Sequence, residues 1–134
     1  METADTSVLV PLAAAWHEAH ATVGRRCREV SRLPLHAMLE CYSVLTRLPE
    51  PHRASPEPVV EFLDSFGEPL DLEPGSRRAR GFLHRLRDAD IRGGQTYDAM
   101  IAASALAHDA LLLTRDARAA AVYDAIGARV EFIG

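Results

Sequence analysis

The chain has 134 residues, of which 48% are hydrophobic and 25% charged, which fits one globular domain over residues 1–134 and excludes a disordered or fibrous protein. The formal net charge of −4 argues against a protein that coats nucleic acid non-specifically, because such binding needs many cationic contacts to phosphates. There is neither an apolar stretch near the roughly 20 residues that span a bilayer nor the basic flank of a signal peptide, so we expect no membrane association and a cytoplasmic location.

The first half of the chain predicts two short strands and several helices. A first strand in METAD is expected to be stunted because it is short and polar. A helix over SVLVPLAAAW follows, in which Pro11 is tolerable only near the first turn, and HEAHATVGRRC is a polar helical stretch. We expect a short strand at residues 29–33 and then a helix over LHAMLECYSVLTR that Pro49 stops. Ser55 with Pro56 starts a helix through VVEFLDSF.

The second half alternates strands and helices more clearly. The run EPLDLEPG is short enough for a strand and a turn, and an amphipathic helix from Ser76 covers RRARGFLHRLRDADI before Gly93 and Gly94. A further helix begins near Thr96, ALLLT is a buried strand, ARAAAVYDAIG is a helix and ARVEFI is a last strand. This β–α order predicts an α/β fold: a single three-layer α/β/α domain around a mostly parallel central sheet.

Four carboxylates are candidates for a functional site. In open parallel sheets functional groups collect outside the carboxyl ends of the strands, where loops enter helices, and two of the four fall there. Asp5 directly follows the first strand, and Asp116 directly follows ALLLT. Asp98 lies in the first turn of the helix before ALLLT, and Glu40 interrupts an apolar helix face. These four are the candidate site residues if the fold brings them together.

Each of the four also has a purely structural interpretation. Asp5 and Asp116 can cap the helices that follow them, and Asp98 favours its helix N-terminus by roughly 0.3–1 kcal/mol. Glu40, in its apolar setting, needs a partner in either case. If the four converge, their repulsion raises some of their pKa values unless a cation lies among them. Oxygen ligands without His or Cys fit Mg²⁺ or Mn²⁺, which activate water and stabilise charge on a phosphodiester.

Three segments carry a resemblance that covers nearly the whole chain: DTSVLV, LHAMLECYSVLTRLP and GGQTYDAMIAASALAHDALLLTRD. In order and spacing they resemble the motifs of the PIN-domain family, and in particular of VapC toxins from bacterial toxin–antitoxin pairs. The resemblance implies a PIN-like fold and an endoribonuclease site whose acidic residues bind Mg²⁺ or Mn²⁺. Carried over position by position, the site residues are Asp5, Glu40, Asp98 and Asp116, with Thr114 orienting the site and Thr6 beside the first aspartate.

The same resemblance implies partners. It implies a homodimeric toxin that cuts RNA, often tRNA or rRNA at a defined place, and that a VapB antitoxin holds inactive. The predicted function is therefore a Mg²⁺- or Mn²⁺-dependent endoribonuclease acting as the toxin of a type II toxin–antitoxin system. Two alternatives stay open, namely a catalytically silent PIN-like interaction module and a PIN ribonuclease not paired with an antitoxin.

Other clusters are less specific. His17 and His20 are three residues apart, but two ligands without a third are weak support for a metal site, so we interpret them as surface residues. His36 precedes Glu40 and is interpreted as a residue of the helix start, although it can lie near the site. Cys27 and Cys41 lack zinc or CxxC spacing and are expected to be free thiols.

The lack of lysine among the cationic residues excludes several classes of protein. All 15 are arginine, and without lysine neither a P-loop NTPase nor a Schiff-base enzyme can be built. The same lack argues against a phosphoryl-accepting receiver or a phosphatase. A basic helix carries five arginines that form either a solvated face or a contact with RNA phosphates: Arg77, Arg78, Arg80, Arg85 and Arg87.

Overall fold

The structure is a computed structural model that describes residues 1–72 and 76–134, with side chains over 1–72 and 80–134. Within these ranges the chain forms three strands and seven helices. In chain order they are β1 (Glu2–Ala4), α1 (Thr6–Ala13), α2 (His20–Arg26), α3 (Leu35–Arg47), α4 (Pro56–Asp64), α5 (Ser76–Asp88), α6 (Gln95–Ala107), β2 (Leu111–Thr114), α7 (Ala120–Ile126) and β3 (Val130–Phe132).

The three strands form a parallel sheet with β2 in the centre. Thr3 on β1 and Val130 on β3 both pair with Leu112. Successive strand residues point to opposite faces, and Leu112 and Leu113 are both fully buried. Helices therefore cover both faces of the sheet, with α1 and α6 in contact with β2. The predicted α/β fold with a parallel sheet is confirmed.

The first strand is as short as the polar sequence predicts, yet it is firmly held. Thr3 and Ala4 are fully buried, and the backbone N–H of Asp5 donates to the carbonyl of Leu113 at 3.1 Å, one step beyond the strand. The guanidinium of Arg26 pairs with Glu2 on β1 at 2.7 Å and with Glu131 on β3 at 2.6 Å. One side chain thus ties the two outer strands, and both ion pairs raise the pKa of Arg26.

The strand predicted at residues 29–33 is wrong. Only Val30 makes a bridge, with Glu2. The carbonyl of Arg32 accepts the hydroxyl of Thr3 at 2.8 Å rather than a backbone N–H of β1. Pro34 then removes a backbone donor and forms an isolated bridge with Leu70. No ladder can propagate from there.

The strand predicted in EPLDLEPG is also wrong over the described residues. Leu70 donates to the carbonyl of Leu33 at 2.8 Å and accepts from the N–H of Leu35 at 3.0 Å, which makes one bridge rather than a strand. The turn expected after it falls on residues 73–75, which lie outside the described residues.

The expectation that Pro11 stays within the first turn is wrong as well. Pro11 is the sixth residue of the eight in α1. Its ring is fully buried, so its packing offsets the one helix hydrogen bond that proline cannot make.

The helices predicted around the candidate site are present. α3 ends at Arg47 before Pro49, and α6 begins at Gln95 directly after the glycine pair. Four alanines of α6 are buried and allow close packing against α7: Ala99, Ala102, Ala103 and Ala105. Across the described ranges, none of the helices combines the length and apolarity that crossing a membrane requires.

Candidate functional site

The four candidate carboxylates line one small cavity. They come from four parts of the fold: Asp5 joins β1 to α1, Glu40 lies on α3, Asp98 lies in the first turn of α6, and Asp116 follows β2. The cavity has a volume of about 60 Å³ and is completed by Thr6, Ser7, Ile101 and Tyr123. The fold therefore brings together the residues chosen from the sequence.

Asp5 is the most buried of the four, with 2% of its surface exposed. Its Oδ1 accepts the backbone N–H of Ser7 at 3.0 Å, which caps α1, and also the hydroxyl of Ser7. Its Oδ2 accepts the hydroxyls of Thr114 and of Tyr123, the latter at 2.7 Å. Burial raises the pKa of Asp5, and these donors offset part of the rise. The capping interpretation is thus correct, and the carboxylate still faces the cavity.

The hydroxyls that hold Asp5 are themselves oriented by the backbone after β2. The N–H of Arg115 donates to Ser7 Oγ at 2.7 Å, and the N–H of Asp116 donates to Thr114 Oγ1 at 3.0 Å. Each hydroxyl accepts a hydrogen bond from a backbone N–H and donates its own proton to a carboxylate oxygen of Asp5. The hydroxyl of Thr114 is thus oriented toward Asp5.

Glu40 is held by two side chains from different elements. The hydroxyl of Thr6 donates to Oε2 at 2.9 Å, and His36 Nε2 lies 2.7 Å from Oε1. The ring of His36 stacks in turn on Tyr97, with centroids 4.9 Å apart. The neighbours Leu39 and Tyr42 are exposed, so Glu40 lies at the edge of an apolar face rather than inside one.

Asp98 lies among the other three carboxylates, and its pKa is raised. Burial, followed by the charges of Glu40, Asp116 and Asp5, raises its pKa to about 6, while His36 acts in the opposite direction. Among the described residues no side chain donates a hydrogen bond to Asp98. Its oxygens therefore have unused acceptor capacity inside a cluster of like charge.

Asp116 does not cap α7, whose N-cap is Ala119. Its Oδ1 instead accepts the backbone N–H of Arg118 at 2.9 Å in a local turn. This contact sets the direction of the loop, and among the described residues no donor contacts Oδ2. Because the N-cap of α7 is Ala119, the helix-cap interpretation of Asp116 is wrong.

The donor set fits a hard divalent cation in its chemistry, because it offers only oxygens and carries an excess of negative charge. Within the part of the chain that the structure describes, however, no group of three or more His, Cys, Asp or Glu side chains stands ready at metal-holding distances. The carboxylates line a common space, and the oxygens of Asp5 are turned toward hydroxyl donors.

Three residues of the site escaped the sequence reasoning. Ser7 donates to Asp5 through both its backbone N–H and its hydroxyl. Tyr123 lies 118 residues from Asp5 in sequence and has no motif around it; burial and the charge of Asp5 raise its pKa. His36 was assigned to the helix start and does lie there, but it also contacts Glu40. Only His36, four residues before Glu40 on one helix face, had a signal in its spacing.

The other predicted clusters lie apart from the site. His17 Nδ1 accepts the N–H of Ala19 at 3.0 Å, and His20 Nδ1 lies 2.9 Å from the carbonyl of Pro11, so the two rings do not share a ligand position. Cys27 and Cys41 are free and buried, as predicted.

The basic helix is α5. Arg85 donates to the carbonyl of Ile126 at 2.8 Å and Arg87 pairs with Asp88, while Arg80 is exposed. The side chains of Arg77 and Arg78 lie outside the described residues. The contact with RNA phosphates stays a prediction.

A larger cavity, of about 490 Å³, lies between α2 and the end of the chain and is lined in part by Glu18, Arg26 and Arg115. None of the four carboxylates reaches it. Its size alone does not make it the reactive site, because the convergent acidic groups line the smaller cavity.

Comparison with known proteins gives a consistent result. Residues 3–125 match the model of the PIN domain family. The chain is 42% identical to Ribonuclease VapC40 of Mycobacterium tuberculosis H37Rv over 129 residues, which cover 96% of each chain. It is 42% identical to Ribonuclease VapC27 of the same strain over 128 residues, which cover 94% of this chain and 92% of the relative.

Proposed function

The chain belongs to the PIN-domain family and is a VapC-type member of it, and from this premise we propose that it is a metal-dependent endoribonuclease, the toxin of a type II toxin–antitoxin pair. The single observation that carries the proposal is the convergence of four carboxylates from four parts of the fold on one cavity. Like charges brought together raise the pKa values of one another at a cost in stability, and such perturbed groups are concentrated at functional sites. We further propose that residues 1–134 form one PIN domain.

The residues that would hold Mg²⁺ or Mn²⁺ are Asp5, Glu40, Asp98 and Asp116. When bound, such an ion lowers the pKa of water and neutralises charge that develops on a phosphodiester. The raised pKa of Asp98 supports the assignment, because a nearby cation favours the ionised carboxylate that repulsion disfavours.

The remaining polar residues of the site fix the orientation of the carboxylates. Thr6 and His36 hold the two oxygens of Glu40. Thr114 and Tyr123 hold one oxygen of Asp5 and fix its rotamer. A preorganised set of charges needs no rearrangement at the moment of reaction, which is the usual source of electrostatic catalysis.

The biological part of the proposal rests on the relatives, which are named as VapC ribonucleases. We propose that the substrate is RNA, with tRNA or rRNA as the first candidates, that a VapB-type antitoxin binds the protein and inhibits it, and that the protein is a homodimer acting in the cytoplasm.

The decisive experiment is cleavage of purified tRNA and rRNA with Mg²⁺ or Mn²⁺, followed by sequencing of the new RNA ends. We expect discrete cleavage by the wild type, none with EDTA, and none by Asp98→Asn. Glu61→Gln, the same kind of change at an exposed position of α4, should cleave normally. Full activity of Asp98→Asn would mean that the carboxylate site is not the origin of the cleavage.

The toxin role needs a test in cells. Expression of the wild type should arrest growth, and co-expression of the short reading frame beside its gene should restore it. Cleavage in vitro without growth arrest or rescue would leave a PIN ribonuclease that is not paired with an antitoxin.

One observation favours a second candidate, a catalytically silent PIN-like module. The described residues offer no ready-made group of metal ligands, and both oxygens of Asp5 already accept hydrogen bonds. Titration calorimetry with Mn²⁺ separates the two, since a silent module should show no binding that depends on Asp98.

A further inference from the structure

Two parallel rings lie beside the carboxylate cavity. His36 and Tyr97 stack with their centroids 4.9 Å apart and their planes 8° apart. Tyr97 directly precedes Asp98 in α6 and is 50% exposed. His36 is fixed from the other side, because its Nε2 lies 2.7 Å from Glu40 Oε1. The pair therefore connects two helices that each supply a carboxylate.

The size of the cavity limits what it can hold. The cavity is small, at about 60 Å³, and four of its eight lining residues are carboxylates. Such a lining suits a cation and its water ligands rather than a nucleobase. When a phosphate of RNA reaches the carboxylates, the bases on either side of it must lie outside the cavity, against its rim.

We propose that the His36–Tyr97 pair is a stacking platform for a nucleobase that neighbours the scissile phosphate. This inference rests on the proposed ribonuclease function and adds a binding subsite to it. Proteins hold single-stranded RNA by stacking bases on aromatic rings, and the contact tolerates any base because every base has a π-face. The exposed ring of Tyr97 supplies such a face next to Asp98.

The pair is suited to this use because it is preorganised. An exposed tyrosine alone has to be ordered when a base binds, which reduces the gain in affinity. Here the ring of Tyr97 already rests on His36, and His36 is held by Glu40. The orientation of the platform is thus tied to the orientation of the reactive site.

The chain provides a matched control. Trp16 also stacks on a histidine, His52, with centroids 3.9 Å apart and planes 24° apart, and it is 49% exposed. It lies beyond the C-terminal end of α1, whereas Asp5 and Thr6 lie at the N-terminal end. If Tyr97 only supports packing between α3 and α6, its replacement should resemble that of Trp16.

The first test is steady-state cleavage of a single-stranded RNA that the wild type cuts. Tyr97→Leu should raise KM about five- to tenfold, at the low end of what base stacking contributes, with kcat within about twofold. Tyr97→Phe should restore the wild-type KM, and Trp16→Leu should leave both constants unchanged. An unchanged KM in Tyr97→Leu overturns the platform.

The second test does not depend on cleavage. Short RNAs in which 2-aminopurine replaces each base in turn are bound to Asp98→Asn with Mg²⁺ present. Fluorescence should be quenched at one position and recovered in Asp98→Asn/Tyr97→Leu, but not in Asp98→Asn/Tyr97→Phe. Quenching that survives Tyr97→Leu overturns the platform. A wild type that cuts no RNA overturns the ribonuclease proposal instead, and the fluorescence assay still reports on stacking.

Discussion

Neutralising Asp98 should stabilise the metal-free protein, although the residue belongs to the proposed site. In the folded chain Asp98 faces Glu40, Asp116 and Asp5, and burial with these charges raises its pKa from 3.8 to about 6. The carboxylates of the site repel one another and so destabilise the folded protein, and a bound cation reduces this repulsion. Asp98→Asn removes one of the repelling charges and keeps the shape of the side chain.

The sign and the size follow from proton linkage. Because the folded state binds the proton more tightly than the unfolded state, stability falls as the pH rises from about 4 to about 6 and is constant above that. A shift of about two pKa units corresponds to roughly 3 kcal/mol, and since Asp98 is partly exposed, solvent screening reduces this to about 1–2 kcal/mol. For a chain of this size that is about 3–8 °C in Tm.

The assay is thermal and chemical unfolding in EDTA at about pH 7.5 and about pH 4. Asp98→Asn should be more stable than the wild type at the higher pH and equal to it at the lower one. Adding Mg²⁺ should raise the Tm of the wild type more than that of the variant. Glu61→Gln, on an exposed helix face, should show neither effect.

A variant that is destabilised at about pH 7.5, or that differs from the wild type equally at both pH values, would refute the reasoning. Either result would mean that Asp98 contributes packing or hydrogen bonds rather than repulsion.

Three further outcomes are expected. Tyr123→Phe should lower the free energy of unfolding by about 1–3 kcal/mol, because a buried donor to Asp5 is lost. Tyr42→Phe, at an exposed position, should leave it unchanged. Equal stabilities of the two variants would contradict the contact between Tyr123 and Asp5. Burial raises the pKa of Cys41 to about 12 and also raises that of Cys27, so iodoacetamide at about pH 8 should modify neither thiol until denaturant is added; mass spectrometry checks this. Removal of divalent ions with EDTA should lower the Tm of the wild type, and unchanged melting would count against a bound metal.

The sequence was sufficient for the parts of the fold that follow local patterns. The buried run ALLLT, the stop at Pro49 and the start after the glycine pair each gave the correct element, because periodicity and turn residues act within a few positions. The strands predicted at residues 29–33 and in EPLDLEPG failed for two reasons. Pro34 directly follows the first segment and has no N–H for a ladder, which the sequence itself shows. The hydrogen bond from the hydroxyl of Thr3 to the carbonyl of Arg32 joins positions 29 residues apart, and no local pattern predicts it.

The residues of the candidate site also include some that the sequence predicted and some that it did not. Asp5 and Asp116 were found because each directly follows a strand, where this fold class collects functional groups. Glu40 and Asp98 were found from their settings on helices and from the motif resemblance. Tyr123 was missed, because it reaches Asp5 only through the packing of α7. The charged groups of a site are therefore easier to predict from sequence than the neutral groups that donate hydrogen bonds to them.

The parallel pairing of β1 with β2 has a consequence for the timing of synthesis. Asp5 leaves the ribosome early, but the hydroxyls of Thr114 and Tyr123 that hold it are separated from it by 109 and 118 residues. At about 5–20 residues per second, translation takes several seconds to supply them. Until β2 emerges, β1 has no partner in the sheet and Asp116 has not joined the other acids. A growing chain therefore cannot present an assembled set of carboxylates to the RNA of the ribosome that is making it.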